Sequence, residues 1–278
     1  MLEKLHQGNY GEYVDFAYEL ALDRTKSSYP TYTDGLKTKE DFLWVAARAF
    51  ERENEEVLLF REGERVLGWI HYYVLPEDRY VGLQSFLAAE GTARAMGEIA
   101  ALLREKYPGY SAYFGFPEEN TEALEALQSL GFRRDDENLV GVLKFEDYTP
   151  LPEPDGITEI TRENFEDFAG IHAQMDGQMY WDNAHLLNDL ERWHIYLLKG
   201  RAAVYFRYVK QSMEIFGLDF AGEFDPEDFR ALLVRALNQG KADGCKDLTF
   251  FHETREHPIV EALGFRNVGG YVLYVGEL

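Results

Sequence analysis

A four-residue repeat limits the folds open to this chain more than any other feature of its sequence. Leu130-Gly131-Phe132-Arg133 recurs as Leu263-Gly264-Phe265-Arg266, and each copy follows an amphipathic helical pattern and precedes a strand-like run. Glycine just beyond a helix adopts the left-handed cap conformation easily, and the phenylalanine after it can enter a core as the chain turns into a strand. Each copy therefore predicts a helix, a tight turn and a strand.

The starts of the two halves also repeat. Asn9-Tyr10-Gly11-Glu12-Tyr13 parallels Asn164-Phe165-Glu166-Asp167-Phe168, and both segments begin a helical pattern with two aromatic residues three positions apart. Matching starts and ends indicate two related domains, the second one shorter. With 278 residues and 46% hydrophobic content, the chain has enough apolar material for two cores.

The domain boundary is expected at a proline-rich stretch. Pro150, Pro152 and Pro154 interrupt the periodicity within five residues, which favours an extended linker. We therefore predict an N-terminal domain over residues 1–148, a linker over 149–156 and a shortened C-terminal domain over 157–278.

Composition narrows the classes of partner. The net charge of −22 arises from 50 acidic and 28 basic residues, so nucleic acid is not an expected partner. The chain lacks an apolar run of membrane-spanning length and does not begin like a signal peptide, which predicts a cytoplasmic protein without a membrane partner. Its single cysteine, Cys245, has no second cysteine for a disulfide or a thiolate metal cluster, and a buried structural role is expected.

Hydrophobic periodicity predicts the same order of elements in both halves. In the first half the predicted elements are a strand over 2–6, helices over 10–23 and from Thr38, a hairpin over 57–74, a strand over 80–88, a helix from about 92 to 107, a strand over 111–115, a helix over 120–130 and a strand over 140–145. The second half repeats this order in a shorter form. We predict an α+β fold in which each half forms a mixed, mostly antiparallel sheet flanked by helices.

This order of elements, with Leu-Gly-Phe after the last helix, resembles the GNAT superfamily of acyl-CoA-dependent N-acyltransferases over nearly all of both halves. The resemblance implies tandem GNAT-like domains and acetyl-CoA as a co-substrate. In that family the loop entering the third helix carries the pattern Gln/Arg-x-x-Gly-x-Gly/Ala. Its backbone N–H groups and the helix N-terminus bind the coenzyme A pyrophosphate.

The first half matches this phosphate-binding pattern in part. The resemblance assigns cofactor binding to Arg94, Ala95, Met96, Gly97, Glu98 and Ile99. Arg94 and Gly97 fit, whereas Ile99 stands where the family has glycine or alanine. The alternative is a continuous helix capped by Thr92. In the second half, Phe224, Glu227 and Phe229 replace the pattern, so that domain is not expected to bind the cofactor in this way.

The last helix of each half is where a catalytic general acid would be expected. The family pattern is Asn-x-x-Ala-x-x-x-Tyr-x-x-x-Gly-Phe, in which the tyrosine can act as general acid for the departing thiolate. Asn120 and Ala123 match, and the resemblance places Asn120 in the cofactor site. Leu127 and Val260 stand at the tyrosine position in the two halves, so the usual acid is missing from both.

The remaining site residues follow from the same resemblance. The splay between the fourth and fifth strands would place the backbone of Phe86, Leu87 and Ala88 beside the acetyl group. Glu90 is the candidate general base, although a glutamate before a helix also serves the helix dipole. Tyr29 and Tyr32, in the loop between the first two helices, are predicted to contact the acceptor substrate, with simple packing as the alternative.

No metal site is predicted. His252 and His257 are five residues apart, where a helical zinc motif needs four, and Pro258 follows directly. Two functions compete. The first is an N-acetyltransferase that moves an acetyl group from acetyl-CoA to an amino group of a small molecule or peptide, with the cofactor in the first domain. The second is a catalytically inactive GNAT-like protein that binds a metabolite or a partner.

Overall fold

The computed structural model describes residues 1–178 and 180–278. Their contacts define two compact units, the first formed by Met1–Asn138 with Gly269–Leu278 and the second by Leu139–Val268. The first unit has helices on both faces of its sheet: residues of the helices between positions 14 and 48 lie in one buried cluster, and residues of the helices between positions 92 and 129 lie in another.

The first unit contains five strands in sequence order and closes its sheet with the end of the chain. Its elements are β1 (Leu2–Lys4), α1 (Val14–Ala21), α2 (Lys39–Arg48), β2 (Glu55–Glu62), β3 (Arg65–Leu75), β4 (Tyr80–Ala88), α3 (Thr92–Lys106), β5 (Ser111–Pro117) and α4 (Thr121–Ser129). Strands β1 to β4 pair antiparallel, whereas β4 and β5 pair parallel. The C-terminal strand β12 (Arg266–Glu277) pairs antiparallel with β5 from Tyr271 to Glu277.

The second unit has a corresponding organisation. Its elements are the end of β6 (Arg133–Lys144), β7 (Ile157–Glu159), α5 (Phe165–His172), α6 (Asn183–Asn188), β8 (Trp193–Leu198), β9 (Ala202–Val209), β10 (Ser212–Phe220), α7 (Pro226–Ala242), β11 (Asp247–His252) and α8 (His257–Ala262). Strands β7 to β10 pair antiparallel and β10 pairs parallel with β11. The end of β6 pairs antiparallel with β11, from Leu139 opposite His252 to Lys144 opposite Asp247.

The compact units differ from the predicted domain limits of 1–148 and 157–278. Each sheet takes its last strand from the other half of the sequence, because the end of β6 pairs with β11 and the end of β12 pairs with β5. The predicted linker over 149–156 lies within the second unit, where it is bonded to α7. The side chain of Asn238 accepts from the Leu151 N–H at 3.2 Å and donates to the Leu151 carbonyl at 2.8 Å.

The repeated glycines adopt the predicted cap conformation. Gly131 has φ +84° and Gly264 has φ +94°, both in the left-handed region. The Phe132 N–H donates to the carbonyl of Leu127 at 3.0 Å, which closes the last turn of α4. Phe132 and Phe265 are both buried after the turn. The repeat thus ends two helices in the same way.

Among the described residues, no helix has the length and apolar character needed to cross a membrane.

Candidate functional site

In the first unit, β4 and β5 are paired only near their starts. The parallel register runs from Tyr80 opposite Ser111 to Gly82 opposite Tyr113. Beyond this point β4 carries an extra residue, Gln84, in its pairing with β3, and such a bulge bends the strand that contains it. The two strands diverge from there to Ala88, which opens a cleft between their backbones.

The cleft is filled by residues 26–29, here called the insert. On one side, the Ser28 N–H donates to the Phe86 carbonyl at 3.0 Å and the Phe86 N–H donates to Ser28 Oγ at 2.8 Å. The Ala88 N–H donates to the Lys26 carbonyl at 3.0 Å. On the other side, the Tyr29 N–H donates to the Gly115 carbonyl of β5 at 2.9 Å. The insert therefore bridges the two diverging strands.

Side chains around the cleft hold the insert in place. Asn120 donates from Nδ2 to the Ser27 carbonyl at 3.1 Å, while its Oδ1 accepts the Ala123 N–H and caps α4. The Tyr29 ring packs edge-on against Tyr271, with ring centroids 5.0 Å apart. Ser27 and Ser28 are 0% and 1% exposed, so water has no access to these bonds.

The structure thus brings together the predicted cofactor residues Phe86, Leu87, Ala88 and Asn120, but the insert uses their polar groups. Leu87 itself forms an antiparallel bridge with Ser27 and is 1% exposed. These are the groups that the resemblance assigned to the acyl thioester.

The predicted phosphate loop is a helix. Helix α3 begins at Thr92, with Gly91 rather than Thr92 at the N-cap, so the segment from Arg94 to Ile99 lies inside it. A glycine at the N-cap and good helix formers after it let the helix start before Arg94. From Ala95 onward the backbone N–H groups of the segment donate within the helix, beginning with the bond from Ala95 to the Gly91 carbonyl at 2.9 Å.

The side chains of this helical segment have structural partners. Ala95, Met96 and Ile99 are buried in the core of the first unit. Arg94 pairs with Glu62 at 2.7 Å, and Glu98 pairs with the N-terminal amino group at 2.9 Å. Nothing lies within 4 Å of the position that a Cβ on Gly97 would take. At the start of the helix, the Ala93 N–H already has a carboxylate acceptor, Glu122 Oε1 at 3.4 Å.

The predicted catalytic and substrate residues do not converge on the cleft as free groups. Glu90 is 63% exposed in its side chain and pairs with Arg65 at 3.1 Å. Tyr32 is 6% exposed and packs against Phe42, and this burial raises its pKa. Tyr29 belongs to the insert. Leu127, at the position of the missing tyrosine, is completely buried in the core.

At the corresponding helix of the second unit, α7, the side chain of Asp225 lies at the N-terminus. Asp225 caps α7 and accepts the N–H groups of Glu227 at 2.9 Å and Asp228 at 3.2 Å. Pro226 contributes no N–H. A negative side chain therefore already occupies the helix N-terminus, where an anion would otherwise bind.

A buried polar cluster in the second unit was missed at the sequence level. Asp219, on β10, is 6% exposed, and its Oδ2 lies 2.6 Å from Nδ1 of His172. The other ring nitrogen of His172 donates to the Trp181 carbonyl at 2.8 Å, and Gln174 donates to Asp219 Oδ1 at 3.2 Å. Both ring nitrogens are engaged, so His172 is not available as a base. The available signal was the acidic Asp219 directly after the apolar run of residues 215–218.

The sequence also did not predict two side chains near the start of α8 whose pKa values are shifted. Burial raises the pKa of Glu256 to about 7 and lowers that of His252 to about 4. His252 Nε2 lies 3.2 Å from His257 Nδ1, so the two histidines do meet. Within the described part of the chain, however, no group of three or more His, Cys, Asp or Glu side chains is placed to hold a metal ion.

Solved structures match the whole chain. A GCN5-related N-acetyltransferase from Sphaerobacter thermophilus matches with a TM-score of 0.64 and 12% identity, over 100% of this chain and 95% of that one. A putative acetyltransferase from Thermoplasma acidophilum matches with a TM-score of 0.57 and 14% identity over 100% of both chains. A tandem GNAT protein from the clavulanic acid biosynthesis pathway matches with a TM-score of 0.54 and 12% identity, over 100% of this chain and 98% of that one.

These similarities identify the architecture. The chain has the tandem GNAT fold, which confirms the predicted α+β fold class and the resemblance on which it rested. No family model matches the sequence, and no curated protein matches it. At identities of 12 to 14% the matches define the fold, and the chemistry must be argued from the residues of this chain.

Proposed function

We propose that the chain is a binding protein built on two GNAT folds, and that its first unit does not catalyse acetyl transfer from acetyl-CoA. The observation that carries this proposal is the insert, whose hydrogen bonds to Phe86, Ala88 and Gly115 occupy both sides of the cleft. The continuous helix through Arg94 and the buried Leu127 at the tyrosine position support it independently.

The hydrogen bonds of the insert set the free energy needed to release it from the cleft. Four backbone-directed bonds join residues 26–29 to β4 and β5, and each contributes about 1 kcal/mol net. If releasing the insert costs about 4 kcal/mol, a ligand that needs an open cleft binds about a thousand-fold more weakly than to a preformed one. The insert therefore acts as an intramolecular competitor for any thioester.

The second candidate is the predicted N-acetyltransferase, with acetyl-CoA in the first unit and an amine of a small molecule or peptide as acceptor. The specific observation in its favour is the shape of the cleft, in which β4 bulges at Gln84 and parts from β5 after Gly82. This function requires residues 26–29 to leave the cleft. Binding of acetyl-CoA would then compete directly with the insert.

Calorimetric titration with acetyl-CoA separates the two candidates. The wild-type chain is expected to show no saturable binding, and a panel of amines is expected to release no free thiol from acetyl-CoA. Ser28→Ala weakens the insert and leaves every predicted cofactor residue unchanged. If the acetyltransferase candidate is correct, this variant binds acetyl-CoA more tightly than the wild type. Saturable binding and amine-dependent thiol release by the wild type would refute our proposal.

A further inference from the structure

An arginine in the second unit lies within a group of aromatic rings. The guanidinium carbon of Arg207, on β9, lies 4.5 Å from the ring centroid of Phe216, 5.2 Å from that of Trp193 and 5.9 Å from that of Tyr180. Trp181 packs edge-on against Phe216 at 5.2 Å. We call these four rings with Arg207 the aromatic pocket. All its members except the buried Trp193 are partly exposed.

Arg207 differs from the other arginines that lie over aromatic rings. Several of these also have an oxygen acceptor: Arg24 bonds Glu119, Arg48 bonds Gln84, Arg94 bonds Glu62, Arg104 bonds the Leu130 carbonyl, Arg235 bonds Gln239 and Arg255 bonds Glu253. Arg207 donates to no oxygen among the described residues, and its Nε is enclosed without a hydrogen-bond partner. An enclosed charged donor without an acceptor destabilises the fold, so the position of Arg207 calls for an explanation.

A second donor beside the same ring is also unpartnered. The indole N–H of Trp181 is buried and reaches no acceptor in hydrogen-bond geometry, although the Tyr205 hydroxyl lies in its direction. Trp181 is itself held firmly, because its carbonyl accepts from His172 and His172 is bonded to Asp219. These bonds fix the backbone of Trp181 beside the Phe216 ring.

The strand geometry places this pocket at a bulge. Phe216 is the extra residue of β10 in its pairing with β9, equivalent to Gln84 in the first unit. Bulges redirect side chains and are common beside binding sites. Here the bulge lets Phe216 lie against both Trp193, at 4.8 Å between ring centroids, and Arg207.

We propose that the aromatic pocket binds a small organic carboxylate. The carboxylate accepts hydrogen bonds from the Arg207 guanidinium, whose planar fork matches two carboxylate oxygens, and the apolar part of the ligand packs on Phe216 and Trp193. A cationic ligand would be repelled by the positive charge of Arg207. Inorganic phosphate would gain nothing from the rings. The site lies within the second unit and does not depend on whether the insert admits acetyl-CoA to the first.

One acidic neighbour opposes this ligand. Glu214 is the cross-strand neighbour of Arg207 in the pairing of β9 with β10. A carboxylate ligand bound to Arg207 would lie near the Glu214 carboxylate, and the two negative charges would repel each other. Removing the negative charge of Glu214 should therefore strengthen binding of the carboxylate.

Calorimetry with phenylacetate tests the proposal, with inorganic phosphate and phenethylamine as comparison probes. We expect saturable binding of phenylacetate alone, weakened about ten-fold or more in Arg207→Gln because a charge-assisted pair is lost. Arg207→Lys should fall between the two, and Glu214→Gln should bind more tightly than the wild type. Arg235→Gln is the matched control, since Arg235 also lies over a ring, that of Tyr196 at 4.3 Å, but has its own acceptors.

Circular dichroism melting of each variant establishes that it is folded before binding is compared. Absence of phenylacetate binding to the folded wild type would overturn the proposal, as would equal affinity in wild type and Arg207→Gln. Preference for phenethylamine would show a cation site instead and would also overturn it. None of these outcomes bears on acetyl-CoA binding by the first unit, which is tested separately.

Discussion

Two adjacent serines in the insert provide a sensitive test of how the first cleft is closed. Ser28 and Ser27 are 1% and 0% exposed, and they differ in what their hydroxyl groups do. Ser28 Oγ accepts the Phe86 N–H at 2.8 Å, whereas Ser27 Oγ has no hydrogen-bond partner among the described residues. The same substitution, serine to alanine, should therefore have opposite consequences at neighbouring positions.

The magnitudes follow from what each change leaves behind. Ser28→Ala leaves the buried Phe86 N–H without an acceptor, which should lower the free energy of unfolding by about 1–3 kcal/mol. Ser27→Ala removes a buried hydroxyl that has no partner. We expect this change to be neutral or to stabilise the protein by up to about 1 kcal/mol, because desolvation of that hydroxyl is no longer required.

Urea unfolding at several wavelengths measures both free energies, and amide hydrogen exchange reports the site directly. In Ser28→Ala, the Phe86 amide should exchange faster while amides of the second unit keep their protection. The reasoning is refuted if Ser27→Ala destabilises as much as Ser28→Ala. It is also refuted if the Phe86 amide retains full protection without Ser28 Oγ, because the insert would then be held by other forces.

Four further substitutions test other parts of the structure. Gly97→Ala, inside α3 with open space around the new methyl, should stabilise the protein by about 0.5–1 kcal/mol, whereas Gly131→Ala at φ +84° should destabilise it, both read from melting temperatures. Asp225→Ala removes the cap of α7 and should lower the free energy of unfolding by about 0.5–2 kcal/mol in urea titrations. Glu256, whose pKa is raised from 4.5 to about 7, stabilises the fold fully below pH 4.5 and loses that contribution as pH rises through 7. Glu256→Gln should therefore raise the urea midpoint relative to wild type at pH 8 and change it little at pH 4, and an equal effect at both values would contradict this assignment.

Local rules account for the parts of the fold that the sequence predicted well. Gly131 and Gly264 cap their helices through a conformation that depends on the residue itself. Thr38 caps α2 through a reciprocal pair of bonds with Asp41, three residues away. Each of these signals acts over a few residues, so it can be read from a single sequence.

The insert could not be predicted in the same way. Ser28 and Phe86 are 58 positions apart, and nothing in Lys26-Ser27-Ser28-Tyr29 distinguishes a bridging segment from an exposed loop. Its conformation is set by unpaired backbone groups on β4 and β5, which exist only once those strands have diverged. The sequence therefore predicted the shape of the cleft and the residues along it, while the chain's own occupation of that cleft appears only in three dimensions.

The exchange of terminal strands explains why the predicted boundary and the compact units disagree. The proline-rich segment was a sound signal of interrupted periodicity, but the contacts of a strand are decided by its pairing partners rather than by its distance from a proline. β6 ends in the second unit beside β11, and β12 ends in the first unit beside β5. Each unit thus depends on both halves of the sequence for its last strand. Truncation at Pro150 would leave β5 without its antiparallel neighbour and the first unit without Gly269–Leu278. It follows that each compact unit contains residues from both halves of the sequence.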